Sequence, residues 1–395
     1  MKEQNASEKQ ALTGRKFWVR LILVLVLIGI AVSAFTVGVG TLFSAETGYR
    51  TVESTATNVN CASEFVFTYH LGVSGISPTA ELKAITALYS EKTVSYYRLF
   101  HPTETFEGIR NVASLNQSVN TTLTLPEDLY SALERAVADP GRNLYLGPVF
   151  AYYETLFASS YDEDAATWDP SVNADLAREI EQTLRYLSDD TQIRLELLPD
   201  HCACLHVSDE YLAYAKQIGI DRFIDFYWLK NAYIADLLAR DLTSAGYTRG
   251  VISSRDGFIR NFDVSDTEYA FDVFYDRSGA LVHAGKLTYS SGAAICSLHP
   301  FALDELEDEL YCYRYADGTR VTRYLSIEDG LCRKEAGAVV AFSKTESCVD
   351  LLYGILPYYL ENTLSGCAPA NAGLVYETSA GMRHFPAHGF TWTEN

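Results

Sequence analysis

Hydrophobic and polar positions divide this chain into a charge-free apolar run followed by a long region of alternating helical and strand-like periods. The run extends from Leu21 to Ala45 and begins Leu21-Ile22-Leu23-Val24-Leu25-Val26-Leu27-Ile28. A bilayer-spanning helix needs roughly 20 such residues, so the pattern predicts a transmembrane helix over 21–45. A cleaved signal peptide is the rival reading, since Phe43-Ser44-Ala45 is a small-residue exit. Signal cores are shorter, about 7–15 residues, and the uncleaved anchor is preferred. The first Cys is Cys61, too far from the run for a lipid-anchored N-terminus.

Beyond the run, a polar connector occupies 46–62. A helix is expected over Thr86–Phe100. Thr124-Leu-Pro-Glu127 has the form of a capping box, and Leu129, Ala132, Leu133, Ala136 and Val137 behind it keep helical spacing up to Asp139-Pro140-Gly141. The acidic stretch 161–170 is expected to be an exposed loop. Alternation over Ile193–Leu197 and His201–Val207 around Pro199-Asp200 predicts a hairpin. A helix follows over Ala232–Ala245, with Asn231 as N-cap and Gly246 as its stop. Strands are expected over 269–275, 281–289 and 337–343, with a second hairpin (309–315 and 319–325) around Asp317-Gly318. A helix over Ser347–Leu360, interrupted late by Pro357, precedes an irregular tail over 366–395 rich in Gly, Pro and Ala. Helices and strands interleave, but neighbouring strands form hairpins. The fold class is therefore α+β, with antiparallel strands and packed helices over 63–365, rather than a doubly wound parallel sheet.

Charge sets the orientation and excludes one class of partner. The tail over 1–20 carries Lys2, Lys9, Arg15, Lys16 and Arg20 against Glu3 and Glu8, which keeps it cytoplasmic and puts the main domain outside. The chain is −20 overall, and the part beyond the tail holds 26 basic against 49 acidic residues. No nucleic-acid partner fits such a surface. All eight Cys follow the apolar run, so at least one oxidised pair is expected outside the cytoplasm, with pairing unassigned.

Motif chemistry is sparse. His201-Cys202-Ala203-Cys204-Leu205-His206 puts Cys202, Cys204 and His206 on one strand face. The i, i+2 spacing is not a zinc knuckle, and a strand carrying a disulfide or buried thiols is preferred over a metal site. No G-x-S-x-G, P-loop or H-E-x-x-H occurs. The Tyr pairs Tyr96-Tyr97, Tyr152-Tyr153 and Tyr358-Tyr359 read as half-buried packing in a chain with 27 Tyr. Sequons at Asn5, Asn116 and Asn120 are within chance for this length.

The order of segments from about Ser90 to Tyr359 resembles the ApbE family of FAD:protein FMN transferases. The resemblance runs through Leu115-Asn116, Asn143-Leu-Tyr-Leu-Gly-Pro148, Ile224-Asp-Phe-Tyr-Trp-Leu-Lys-Asn231, Ser244-Ala-Gly-Tyr-Thr-Arg-Gly-Val-Ile252, Asp317-Gly318, Glu328-Asp329-Gly330 and Cys348-Val-Asp350-Leu-Leu-Tyr-Gly354. It implies an ApbE-like, T-fold-like domain that binds FAD and Mg²⁺ and transfers FMN to Thr or Ser of an extracytoplasmic flavoprotein target. By that resemblance Asp350 is the cation ligand and Lys230 the catalytic group at the phosphates. Asp256, Gly257 and Asn231 lie at the nucleotide. The match is incomplete. Gly354 replaces the metal-binding Thr, Asn231 replaces a Gly, and Arg323-Tyr-Leu-Ser-Ile-Glu-Asp-Gly330 lacks the His and Asp of the family motif. These losses raise a second expectation, a non-catalytic flavin- or partner-binding domain at the membrane. A third is an unrelated surface protein with a disulfide framework. Without the resemblance, Lys230 reads as a snorkelling surface cation and Asp350 as a helix N-terminal acid.

Overall fold

The computed structural model describes residues 45–55, 63–277, 280–303, 307, 310–333, 337–367 and 371–395. The apolar run over 21–45 lies outside the described residues apart from Ala45. Among the described residues no helix is long and apolar enough to cross a membrane. The chain divides into a small unit, 1–48 with 71–84, and a main unit, 49–70 with 85–395. The candidate site lies in the main unit.

An eight-stranded sheet forms the frame. Its strands are β1 (Gly48–Thr51), β2 (Phe65–Leu71), β6 (Gly250–Ser254), β7 (Phe258–Asn261), β10 (Ala293–Leu298), β13 (Val339–Ser343), β14 (Gly373–Thr378) and β15 (Gly381–Phe385), in that spatial order. Pairing is antiparallel from β2 through β15. Two central strands, β10 and β13, are buried at every position, which is why they read as continuous apolar runs. Helices α8 (Lys230–Ser244) and α9 (Cys348–Leu360) pack on the sheet. Ile295, Val340, Phe342 and Val375 of the sheet form a core with Val273, Ala284, Leu287 and Tyr289. These last four come from β8 (Glu268–Arg277) and β9 (Ala280–Ser290), which with β16 (Phe390–Glu394) make a three-stranded sheet.

The remaining helices are α1 (Pro78–Phe100), α2 (Val112–Gln117), α3 (Glu127–Val137), α4 (Gly147–Phe157), α5 (Asp162–Trp168), α6 (Ala174–Leu187) and α7 (Asp209–Ile218). The remaining strands are β3 (Thr122–Thr124), β4 (Ile193–Leu198) and β5 (Cys202–Val207), which form a separate sheet, and the pair β11 (Cys312–Arg314) and β12 (Arg320–Thr322). The β4–β5 turn has Asp200 and His201 both at positive φ, the geometry of a tight hairpin. The antiparallel sheets and packed helices bear out the α+β reading.

Several boundaries differ from the sequence reading. The tail over 366–395 is not irregular: it supplies β14, β15 and β16. Long-range pairing against β13 and β9 outweighs its Gly and Ala content, and Leu374, Val375 and Tyr376 are buried. The stretch 161–170 contains α5, with three acids in its first turn where the helix dipole favours them. Thr124 ends β3 and caps nothing; Pro126 is the N-cap of α3 without a side-chain bond. Asn231 is not an N-cap either. The residue before α8 is Leu229, and Asn231 is turned inward. Pro357 leaves α9 continuous to Leu360. The seven described Cys form no disulfide with one another, so the expected oxidised pair is not found among them.

Candidate functional site

Four of the five residues singled out by the resemblance come together. Lys230 and Asn231 open α8, which begins directly after a single 3₁₀ turn, Tyr227–Leu229. Asp256 and Gly257 form the β6–β7 turn. Asn231 Nδ2 lies 2.9 Å from Asp256 Oδ2 and 2.7 Å from Glu64 Oε2, just before β2. Lys230 Nζ is 3.4 Å from the same Glu64 oxygen, and the Tyr311 hydroxyl donates to it as well. Glu64, Asn231, Asp256 and Tyr311 are all buried.

Arg323 completes the cluster. Its guanidinium donates to Glu307 Oε1 at 3.3 Å, to the Asp256 carbonyl at 3.2 Å and to the Tyr324 hydroxyl at 2.9 Å. Its Cζ lies 4.7 Å from the Tyr311 ring centre, 4.8 Å from Tyr324 and 5.6 Å from Trp228. This aromatic box supplies the cation–π attraction that a desolvated guanidinium needs. Arg323 and Glu307 are 1% and 0% exposed at their side chains. His299 sits beside them, its Nδ1 3.7 Å from Glu307, and burial lowers its pKa.

The two carboxylates that share Asn231 are driven apart electrostatically. Burial pushes Glu64 upward, but the Lys230 ammonium and bonds from Tyr311 and Asn231 outweigh it and hold its pKa below the ordinary value. Asp256 is pushed up to about 6 by burial, against the opposing pull of Arg323. Burial opposes the charge of Arg323, but Tyr324, Glu307 and Asp256 outweigh it, so its pKa stands above the ordinary value. Arg323 is thus a fixed cation with no proton to exchange.

Asp350 lies apart from this cluster. It is the third residue of α9 and shares a reciprocal capping box with Ser347: Ser347 Oγ accepts from the Asp350 N–H and donates to Asp350 Oδ2 at 2.6 Å. Its Oδ1 lies 3.7 Å from Arg135 Nε, and that guanidinium stacks 4.6 Å above Tyr353. Gly354 adds no ligand. Among the described residues, no three His, Cys, Asp or Glu side chains are grouped to hold a metal ion. A guanidinium on one oxygen and a hydroxyl on the other do not fit a hard divalent cation, which needs several oxygen donors.

The cluster does not fit a flavin pyrophosphate either. Three carboxylates (Glu64, Asp256 and Glu307) face two cations, and the rings of Trp228, Tyr311 and Tyr324 surround the Arg323 guanidinium. A cleft of about 850 Å³ is lined by Asp276, Arg320, Arg333 and Glu377, and one of about 550 Å³ by Tyr153, Glu328 and Tyr359. None of Lys230, Asn231, Asp256, Gly257 and Asp350 lines either cleft. Other motif residues brace the fold. Asn116 Nδ2 donates to the carbonyls of Pro102 and Ile224, and its Oδ1 accepts from the N–H groups of Phe223 and Ile224. It is buried, so its sequon is inaccessible. Glu64, Tyr311 and Glu307 went unrecognised in the sequence reading, and Trp228 entered only as part of the 224–231 motif. A lone Glu before an apolar strand and one Tyr among many carry no spacing signal.

No family model matches this sequence, and no curated protein matches it. Solved structures do match. The ApbE protein of Thermotoga maritima superposes with a TM-score of 0.59 at 13% identity, covering 86% of this chain and 97% of that one. A point mutant of the flavin transferase ApbE from Vibrio cholerae gives 0.52 at 12% identity, covering 87% and 98%. Over nearly the whole length of both neighbours, this chain has an ApbE-like fold in a divergent sequence.

Proposed function

We propose that this chain is a membrane-anchored, extracytoplasmic ApbE-like protein that has lost FMN transfer and serves as a non-catalytic binding domain. The observation that carries this reading is the buried Arg323–Glu307 pair. The motif resemblance puts Arg323 where the transferases have a His. A His can exchange a proton near neutral pH, whereas a buried, ion-paired Arg cannot. Losing such a proton-transfer group costs about 10²–10⁴-fold in rate. The engagement of Lys230 with Glu64, and of Asp350 with Ser347 and Arg135, supports the same reading. Residues 21–45 would anchor the domain, with the basic tail inside. A redox protein at the same membrane is the partner class that the motif resemblance implies.

The test is to incubate the purified chain with FAD, Mg²⁺ and a flavoprotein domain carrying an acceptor Thr, then to look for in-gel flavin fluorescence. No labelling is expected. Robust labelling that disappears in Asp350→Ala would overturn the proposal. Retained transfer would also give the opposed shifts of Glu64 and Asp256 an acid–base role.

A further inference from the structure

The sheet formed by β3, β5 and β4 carries a group of side chains that the proposed function leaves unused. Strand alternation puts Cys202, Cys204 and His206 on one face of β5. Cys204 lies directly across from Glu196 on β4 and from Thr122 on β3. Cys204 Sγ is 3.9 Å from His206 Nδ1, and His206 Nε2 is 2.6 Å from Glu196 Oε2. The imidazole is therefore held between a thiol and a carboxylate.

That arrangement has a chemical direction. A carboxylate at Nε2 favours the proton there and turns the Nδ1 lone pair toward the sulfur. Metal-bound His residues are supported in this way, with the remote N–H donated to a carboxylate. With Zn–S of about 2.3 Å and Zn–N of about 2.0 Å, ligands at a tetrahedral angle stand roughly 3.5 Å apart. The observed separation needs only a few tenths of an ångström of closure. Backbone pairing on both sides of β5 fixes where these side chains start. Arg194 Nη1, 3.6 Å from Glu196 Oε2, shares that carboxylate. Among the described residues, Cys202 Sγ makes long contacts, 3.4 Å to Thr124 Oγ1 and 3.7 Å to the Asp200 carbonyl. As they stand, these groups do not converge three at a time on one point. A third donor therefore requires the Cys202 side chain to rotate away from Thr124.

We infer that Cys204 and His206, with Cys202 as third donor and Glu196 orienting the imidazole, bind a thiophilic divalent cation of the Zn²⁺ class. No redox change accompanies binding: each coordinating thiol releases its proton to solvent, and water completes the shell. This site is independent of the flavin chemistry, and it requires Cys202 and Cys204 to be reduced thiols.

Cobalt(II) is the probe, because thiolate ligation gives it an intense near-ultraviolet charge-transfer band. Titrating the full-length chain, purified in reductant, should produce that band at one equivalent, and Zn²⁺ should abolish it. Cys204→Ser should remove the band, and Cys202→Ser should weaken it. Glu196→Gln should keep the band while lowering Zn²⁺ affinity by about 10–100-fold, the effect of losing an orienting carboxylate. An unchanged denaturation midpoint in Cys204→Ser would exclude misfolding as the cause. No band in the parent, or an equal band in Cys204→Ser, would overturn the inference and leave the cluster as surface packing.

Discussion

The Arg323 guanidinium and the Glu307 carboxylate meet at 3.3 Å inside a box of aromatic rings, with essentially no solvent contact. Two charges this deep depend on each other, and removing one strands the other. Breaking a buried pair costs about 3–5 kcal/mol, far more than a surface ion pair contributes. Arg323→Met should therefore destabilise the protein by about that amount in urea denaturation. The double variant Arg323→Met/Glu307→Gln should recover a large part of it. A loss below about 1 kcal/mol in the single variant would contradict the structural role.

Asp256 and Glu64 bond to the same Asn231 yet should respond to pH with opposite signs. Asp256 has its folded pKa raised to about 6, so folding disfavours its charge. The penalty is absent below the ordinary carboxylate value and grows as pH rises from about 4 to 6, to the order of 3 kcal/mol. Glu64 has its folded pKa lowered. Its contribution is present above the ordinary value and is lost as pH falls through the folded pKa. Relative to the parent, Asp256→Asn should gain stability as pH rises, while Glu64→Gln should lose it. Denaturation midpoints over a pH series give both slopes. Parallel slopes would show that the two environments are misassigned.

How far these residues were legible follows from the range of their interactions. Helical spacing over Leu129–Ala136 and the hairpin around Pro199-Asp200 depend on near neighbours, and both were readable. The C-terminal strands were not, because Leu374–Tyr376 become a strand only against β13, thirty-odd residues away. The site shows the same division. Lys230, Asn231, Asp256 and Gly257 follow from motif order, and they converge. Their partners Glu64, Tyr311 and Glu307 come from distant segments, and only the fold brings them in. Motif order also carried Asp350, but its setting of Ser347 and Arg135 is a helix cap, which a motif match cannot distinguish from a ligand.

That cap makes a prediction for Asp350. Its carboxylate closes the Ser347 box at the start of α9, and Ser347 bonds the Asp350 N–H. Removing an N-cap side chain costs about 0.5–2 kcal/mol. Ser347→Ala should destabilise by about 1 kcal/mol, and Asp350→Ala by a similar or smaller amount. A cation held at Asp350 would stabilise the folded state by mass action. Added Mg²⁺ should instead leave the melting temperature of parent and Asp350→Ala equally unchanged. A Mg²⁺-dependent rise in the parent alone would restore Asp350 as a ligand.

Gly257 separates a steric requirement from a ligand-binding one. It has φ +104°, where side chains are strained, and a Cβ there would stand 2.1 Å from the Ser297 carbonyl oxygen. The Ser297 N–H donates to the Gly257 carbonyl at 2.9 Å, so the two backbones are held together. Gly246, just past α8, also has positive φ (+90°), but nothing lies within 4 Å of its Cβ position. Both alanine variants incur backbone strain of about 1–3 kcal/mol. Only Gly257→Ala must also push apart the β6–β7 turn and β10. Gly246→Ala should remain folded with a modest loss, and Gly257→Ala should lose several times as much or fail to fold. The two midpoints, read by circular dichroism, decide it. If Gly257→Ala were as stable as Gly246→Ala, close packing against Ser297 would not explain the glycine, and its positive φ alone would.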